Sequence, residues 1–376
     1  MKMVKVSINV PKASSESVIA DLFLLGIRHL FVEVGRNSLL NKRSGFSDFF
    51  SYRSLISYPV EIISFFLDEK DEDAVLSYVA AKYDLRSPGK GSIFSQEIKI
   101  HKEHPSYQVA QEVHFKVKQS HSFFKQLVGI SCIVQRGEGD KITRVSLNYG
   151  ASVPATTYGE GSGARDKLGL LRITIPPEKE LINLILSKHD INPVMELYIA
   201  GGNLDEPGRG IAYGYPLKQG IINTKISRSR TDQAASVEQM VSAIDSLKGG
   251  MEWRKSSLER GTTRRRDYLA QLCEMNLICE EGRGGQLTEA AMRSGAPGAT
   301  ICKLRYHKLD EELQMRRYAR EVCKMIVPSA QVPAISKVLA ETGCFESEAR
   351  ALLYTYTVDK AFTYRAKAIK KSRRRS

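Results

Sequence analysis

Two glycines with a cation between them, directly ahead of a β-prone run, are the residues of this chain best placed to do chemistry. In Glu206-Pro-Gly-Arg-Gly-Ile-Ala-Tyr-Gly-Tyr-Pro-Leu217, Gly208 and Gly210 flank Arg209. Glycines let backbone N–H groups approach an anion closely while the guanidinium neutralises it, so the turn reads as a phosphate cradle. Ser87-Pro-Gly-Lys-Gly-Ser-Ile-Phe94 repeats the arrangement with Gly89, Lys90 and Gly91. Two further turns belong with the second cradle: Gly137-Glu-Gly139, and Gly159-Glu-Gly-Ser-Gly-Ala-Arg-Asp-Lys167 with Gly161 and Arg165. No Ser-His-Asp set, catalytic carboxylate pair or metal-ligand spacing accompanies them, and the seven histidines are scattered. The chain therefore reads as a binding protein, not an enzyme.

The elements that must carry these turns recur. Residues 1–100 read as strand (Val4 to Val10), helix (Ser14 to Leu25), strand (His29 to Val34), a loop of about twenty residues opened by Gly35, strand (Val60 to Phe66), helix (Asp68 to Tyr83) and a last strand from Ile93. A polar linker, 101–127, with one short strand at Val113 to Val117, leads to a second unit over 128–224. Its expected parts are strand Ile130 to Gln135, helix Asp140 to Tyr149, strands Ala155 to Tyr158 and Leu171 to Ile175, a helix started by Pro177-Glu-Lys-Glu180 and running through Leu181, Ile182, Leu184 and Ile185, and a final strand after the cradle. A basic connector, 225–265, carries a helix at Val237 to Leu247 and the lone Trp253. The third unit, 266–366, aligns with the second through Gly282-Arg-Gly284 and Gly295-Ala, and its turn Gly343-Cys-Phe-Glu-Ser-Glu-Ala349 reads as a cradle that has lost both glycines and cation. Each unit is expected to be a ferredoxin-like βαββαβ sandwich, giving three tandem α+β domains. In a sheet of order 4132, the first strand-to-helix turn, the hairpin and the turn before strand four share one edge. Gly137, Gly139, Gly159, Gly161, Arg165, Gly208, Arg209 and Gly210 would then converge, with a helix N-terminus, on a polyphosphate.

Composition narrows the class. With 42% hydrophobic and 26% charged residues over 376, the chain is an ordinary globular protein of two or three domains. No apolar run approaches the roughly 20 residues a bilayer requires, and the alternating N-terminus lacks a signal-peptide core, so a cytoplasmic location is expected. Six cysteines without a C-x-x-C pair read as buried reduced thiols. The net charge of +14 and the basic tail, 367–376, suit a polyanion or an acidic surface.

Gly89-Lys-Gly-Ser-Ile-Phe94, Gly208-Arg-Gly-Ile-Ala-Tyr213 and Tyr354-Thr-Tyr-Thr-Val-Asp-Lys-Ala361, in this order and spacing, resemble motifs of the PII signalling protein family. That resemblance implies βαββαβ units with a long loop between strands two and three and a nucleotide-gripping loop before strand four. The family's homotrimers hold adenine nucleotides between subunits, so three tandem copies imply a monomeric single-chain pseudo-trimer. An ATP- or ADP-like nucleotide would be a ligand, with no tightly bound cofactor, and the loops would act on a protein target. Typical members carry a lysine where this chain has Ser87 and Glu206, and of two arginines after the last strand Arg365 alone has a match. The implied nucleotide-binding set is Gly35, Gly89, Lys90, Gly91, Gly137, Gly139, Gly159, Gly161, Arg165, Gly208, Arg209, Gly210 and Arg365. A nucleic-acid-binding protein or a structural, shell-forming protein are the competing expectations.

Overall fold

The first strand, Met3–Pro11 (β1), alternates apolar and polar side chains, as a strand with two unlike faces must. Val4, Val6, Ile8 and Val10 turn towards two helices, while Lys5, Ser7 and Asn9 turn to the other side of the sheet. The computed structural model describes residues 2–40, 54–107, 113, 123–149, 152–163, 178–223, 266–310 and 312–365. Helix α1 (Lys12–Leu24) follows β1, then β2 (His29–Leu40), β3 (Leu55–Asp68), α2 (Glu72–Lys82) and β4 (Ser92–Glu103). The same order returns as β5 (Leu127–Gln135), α3 (Gly139–Tyr149), β6 (Ala155–Gly163), β7 (Glu178–Ser187), α4 (Ile191–Gly201) and β8 (Gly210–Pro216), with a short β9 (Gln219–Ile221). It returns again as β10 (Leu272–Glu280), α5 (Gly284–Arg293), β11 (Gly298–Leu309), β12 (Met315–Pro328), α6 (Val332–Glu341) and β13 (Leu352–Val358), followed by β14 (Lys360–Thr363).

Three tandem ferredoxin-like α+β domains are not what forms. The strands join one predominantly β architecture, a closed nine-stranded antiparallel barrel with five further strands and six α-helices among the described residues. The ring runs β11-β12-β10-β13-β4-β1-β3-β2-β6 and closes from β6 onto β11, while β7, β5, β8 and β14 continue from β6, and β9 lies on β4. The cause is strand length. Gly35–Leu40 of β2 were expected to open a loop, yet they pair with β3 throughout and with β6 through Gly35 opposite Thr157. Tyr306 of β11 lies opposite Phe31 of β2, and Thr300 opposite Gly161 of β6. His101–Glu103, assigned to a linker, extend β4 to meet β13. Edges that would end separate sheets are thereby paired away.

A second correction concerns 178–187. The run through Leu181, Ile182, Leu184 and Ile185 is strand β7, and the helix begins at Ile191. A short, nearly continuous apolar run suits a buried strand as well as a buried helix, and periodicity cannot separate them. The expected elements at Leu171 to Ile175 and Val237 to Leu247, most of Val113 to Val117, Trp253 and the basic tail lie outside the described residues.

Each helix pair covers one segment of sheet with its own core, typified by Ile8, Leu22 and Phe65 in the first, Ile130, Met195 and Tyr198 in the second, and Leu277, Ile335 and Phe345 in the third. A fourth core, rich in tyrosine, fills the junctions between segments: Phe31, Phe66, Tyr107, Tyr213, Tyr215, Tyr306 and Tyr354. All six cysteines are free, five of them buried. No helix of the described residues is long and apolar enough to cross a membrane.

Candidate functional site: a groove between the second and third segments

Strand register shows which residues correspond between segments. Val10 lies opposite Glu61, Val134 opposite Glu180, and Cys279 opposite Glu321, so these three glutamates hold one position. All three are buried beside their segment's first helix, and Glu180 and Glu321 cap its start. Glu180 Oε2 accepts from the backbone N–H groups of Gly137 (3.1 Å) and Gly139 (2.8 Å). Glu321 accepts from Gly284 N (2.8 Å), and Glu61 from Ser15 Oγ (2.5 Å). The donors expected to hold a polyphosphate are thus already taken up by an internal carboxylate at the positive end of the helix. Arginines from neighbouring segments reinforce two of them: Arg36 bridges Glu180 (3.3 Å) and Asp140 (2.9 Å), and Arg305 pairs with Glu61. Glu160 stands at the register of those arginines in the second segment.

Gly35 and Gly159 also serve packing. A Cβ on Gly35 would lie 2.7 Å from the Thr156 carbonyl oxygen, and one on Gly159 would lie 2.8 Å from Cys302 Sγ, where β2 crosses β6 and β6 crosses β11. Both residues are in strands, not in loops.

Gly161, Gly208, Gly210 and Arg365, by contrast, come together. They line a groove of about 680 Å³ between the second and third segments, joined by Lys179 of β7 and an apolar wall of Ile211, Leu269, Leu272, Ala299 and Ile326. That volume lies within the roughly 300–1,000 Å³ of small-molecule sites. Gly210 has φ 145°, and a Cβ on it would stand 2.0 Å from the Ile133 carbonyl oxygen, so only glycine lets the chain cross β5 there. Arg209 donates through Nε to Glu206 (2.9 Å) on the exposed side of the turn. Arg365 is exposed and has no ion-pair partner among the described residues. Gln331, whose Oε1 is buried without a hydrogen-bond partner, lines the same groove. Lys324, on its inner wall, is paired with Glu33. Arg165 lies outside the described residues.

Gly89 and Lys90 do not reach this groove; they line a separate depression with Pro11, Ser14, Lys82 and Asp84, and Gly91 sits behind it with φ 136° against the Asn9 carbonyl. The third segment keeps its cation after all. Leu352 lies opposite Ile278, which puts Ala351 at the register of Gly91 and Gly210, and Arg350 (φ 42°) at that of Lys90 and Arg209. The readable signal was a cation four residues ahead of a strand aromatic: Lys90 and Phe94, Arg209 and Tyr213, Arg350 and Tyr354. Glu346 and Glu348 sit in the longer turn before it.

The other two junctions are built differently. Between the third and first segments, Tyr107 is fully buried against Phe31 and Tyr306, and its hydroxyl accepts from Arg320 Nε (3.3 Å). Arg320, at the register of Lys179, is taken up further by Glu280. Burial pushes the Tyr107 hydroxyl up to about 12. Between the first and second segments, Val60 occupies that register, and Val153 N bonds to the Asn223 carbonyl (3.0 Å). Tyr107 and Arg320 were not singled out from sequence because nothing local marks a linker tyrosine as a plug. Among the described residues no cluster of His, Cys, Asp and Glu could hold a metal ion. The chain matches no family model, and comparisons with curated proteins and with solved structures find no match either.

Proposed function

We propose that this protein is a non-catalytic sensor that binds one adenine nucleotide in the groove between its second and third segments and signals to a protein partner through its hairpins. The observation that carries the reading is the convergence of Gly161, Gly208, Gly210 and Arg365, with Lys179, on a single groove of nucleotide size. Arg365 and Lys179 supply positive charge for phosphates, and the wall of Ile211, Leu272 and Ile326 offers an apolar seat for a base. The unpartnered Gln331 Oε1 can accept from an exocyclic amine such as that of adenine. The resemblance to the PII family points to the same ligand class. Exposed apolar side chains on the β2–β3 and β11–β12 hairpins, Tyr58, Leu313 and Met315, suit a protein target.

Calorimetric titration with ATP, ADP and AMP tests this. One site per chain is expected. Arg365→Ala weakens it about ten- to a hundred-fold, the worth of one charge-assisted contact, and Ser162→Trp, which fills the groove, abolishes it. Absence of heat and of a thermal shift with every adenine nucleotide would sink the proposal.

A further inference from the structure

The polar side of β1 does not face water. It faces a cavity of about 80 Å³ lined by the first strands of all three segments. By the register above, Lys5, Gly129 and Glu274 occupy one level of those strands. The ring of Tyr215 takes the space that a side chain on Gly129 would fill. The level therefore presents one cation and one anion.

Buried charges are unfavourable unless paired, and one pair here is complete: Lys324 Nζ meets both Glu33 oxygens at 2.8 and 3.0 Å. Lys5 and Glu274 have no ion-pair partner among the described residues. Lys5 has no hydrogen bond among the described residues, and its Nζ stands 5.8 Å from the centre of the Tyr354 ring. Burial lowers its pKa, while Glu33 and Glu274 oppose that shift. Glu274 is 2% exposed and accepts from the Tyr213 and Tyr356 hydroxyls, while its Oε2 has no partner. Two amide donors at the cavity are also unpartnered, Gln96 Nε2, directly across from Lys5, and Asn276 Nδ2. Native proteins rarely leave so many buried polar atoms unsatisfied in one place.

We infer that this cavity is a binding site for a small zwitterion of the α-amino-acid kind, its carboxylate held by Lys5 and Gln96 and its ammonium by Glu274. The volume accepts about five to eight water-sized groups, which matches a molecule of that many heavy atoms. A lone anion would leave Glu274 facing it unpaired, and a lone cation would leave Lys5 so; a zwitterion answers both.

Equilibrium dialysis of the full chain against radiolabelled glycine is the test. One saturable site per chain is expected. Acetate and methylammonium, each carrying half of the recognition, should compete at least about ten-fold more weakly than unlabelled glycine. Lys5→Met and Glu274→Gln should each lower glycine affinity by a similar factor. No saturable binding to the wild type would mean that the cavity holds water only and would overturn the inference. So would acetate competing as well as glycine, or unchanged affinity in a folded Lys5→Met protein. Should either variant fail to fold, the wild-type competition decides alone.

Discussion

Glu180 places one carboxylate oxygen between the backbone N–H groups of Gly137 and Gly139, where a helix N-terminus would otherwise offer them to a ligand. The relationship turns an anion site into a tie between β7 and α3, and Arg36 of the first segment fastens its other oxygen. Glu180→Ala leaves two amide donors without their acceptor and Arg36 with Asp140 alone. It is expected to lower stability by about 3 kcal/mol or more in urea unfolding. Glu321→Ala should be milder, because Glu160 stands where an arginine would reinforce Glu321. Equal losses in the two variants would contradict the role given to Arg36.

The two intact cradles differ in what they face. Gly208 and Gly210 line the groove, while Gly89 and Lys90 face a separate depression. Arg209→Ala is accordingly expected to weaken ATP binding more than Lys90→Ala does, even though Arg209 gives part of its guanidinium to Glu206. Calorimetry on both variants checks the order, and a larger effect at Lys90 would move the site.

Tyr107 fills the junction between the third and first segments and binds the arginine that corresponds to Lys179. Nucleotide stoichiometry should therefore be one per chain, not two or three. Removing the ring in Tyr107→Ala should cost about 3–5 kcal/mol of stability, as for other large buried aromatics. A calorimetric stoichiometry of two in the wild type would show that the plug yields to ligand.

Acid should destabilise the fold through two histidines. His29 and His307 are 4% and 0% exposed, and burial, helped by Lys308 and Arg28 for the first and by Arg317 and Arg305 for the second, holds each at about 4. Unfolded histidine titrates near 6.5, so below that pH the unfolded chain binds protons that the native state refuses. Stability is then complete above about pH 6.5 and falls towards pH 4, with unfolding taking up about two protons near pH 5. Urea midpoints at pH 7, 6 and 5 measure the slope, and a His307→Leu protein should lose half of it. A flat profile over that range would refute the assignment.

Much of the local order was readable. The helices at 12–24, 284–293 and 332–341 and the cores of β1, β5, β10 and β13 follow from apolar spacing and from the glycines around them. The barrel was not readable, because it is made by strand ends that do not look like strand. Gly35-Arg-Asn-Ser38 is a polar run, yet Asn37 and Ser38 are buried between β3 and β6, with Ser38 bonded to Ser57 (2.9 Å). The site divides the same way. The 208–210 turn could be picked from type and spacing and Arg365 from the family resemblance, whereas Glu180, Lys179 and Tyr107 gain their places only from which strand end they meet.

Ring closure has a consequence for how the protein is made. Lys102 pairs with Leu353, and Phe31 with Tyr306, so the first segment cannot complete its edges until the third has been synthesised. Contacts of such sequence separation form late, since the loop entropy they close must be met before they stabilise anything. Nascent chains that stop short of β13 carry β4 with a bare hydrogen-bonding edge from Lys99 to Glu103, which makes them the species a chaperone must hold apart.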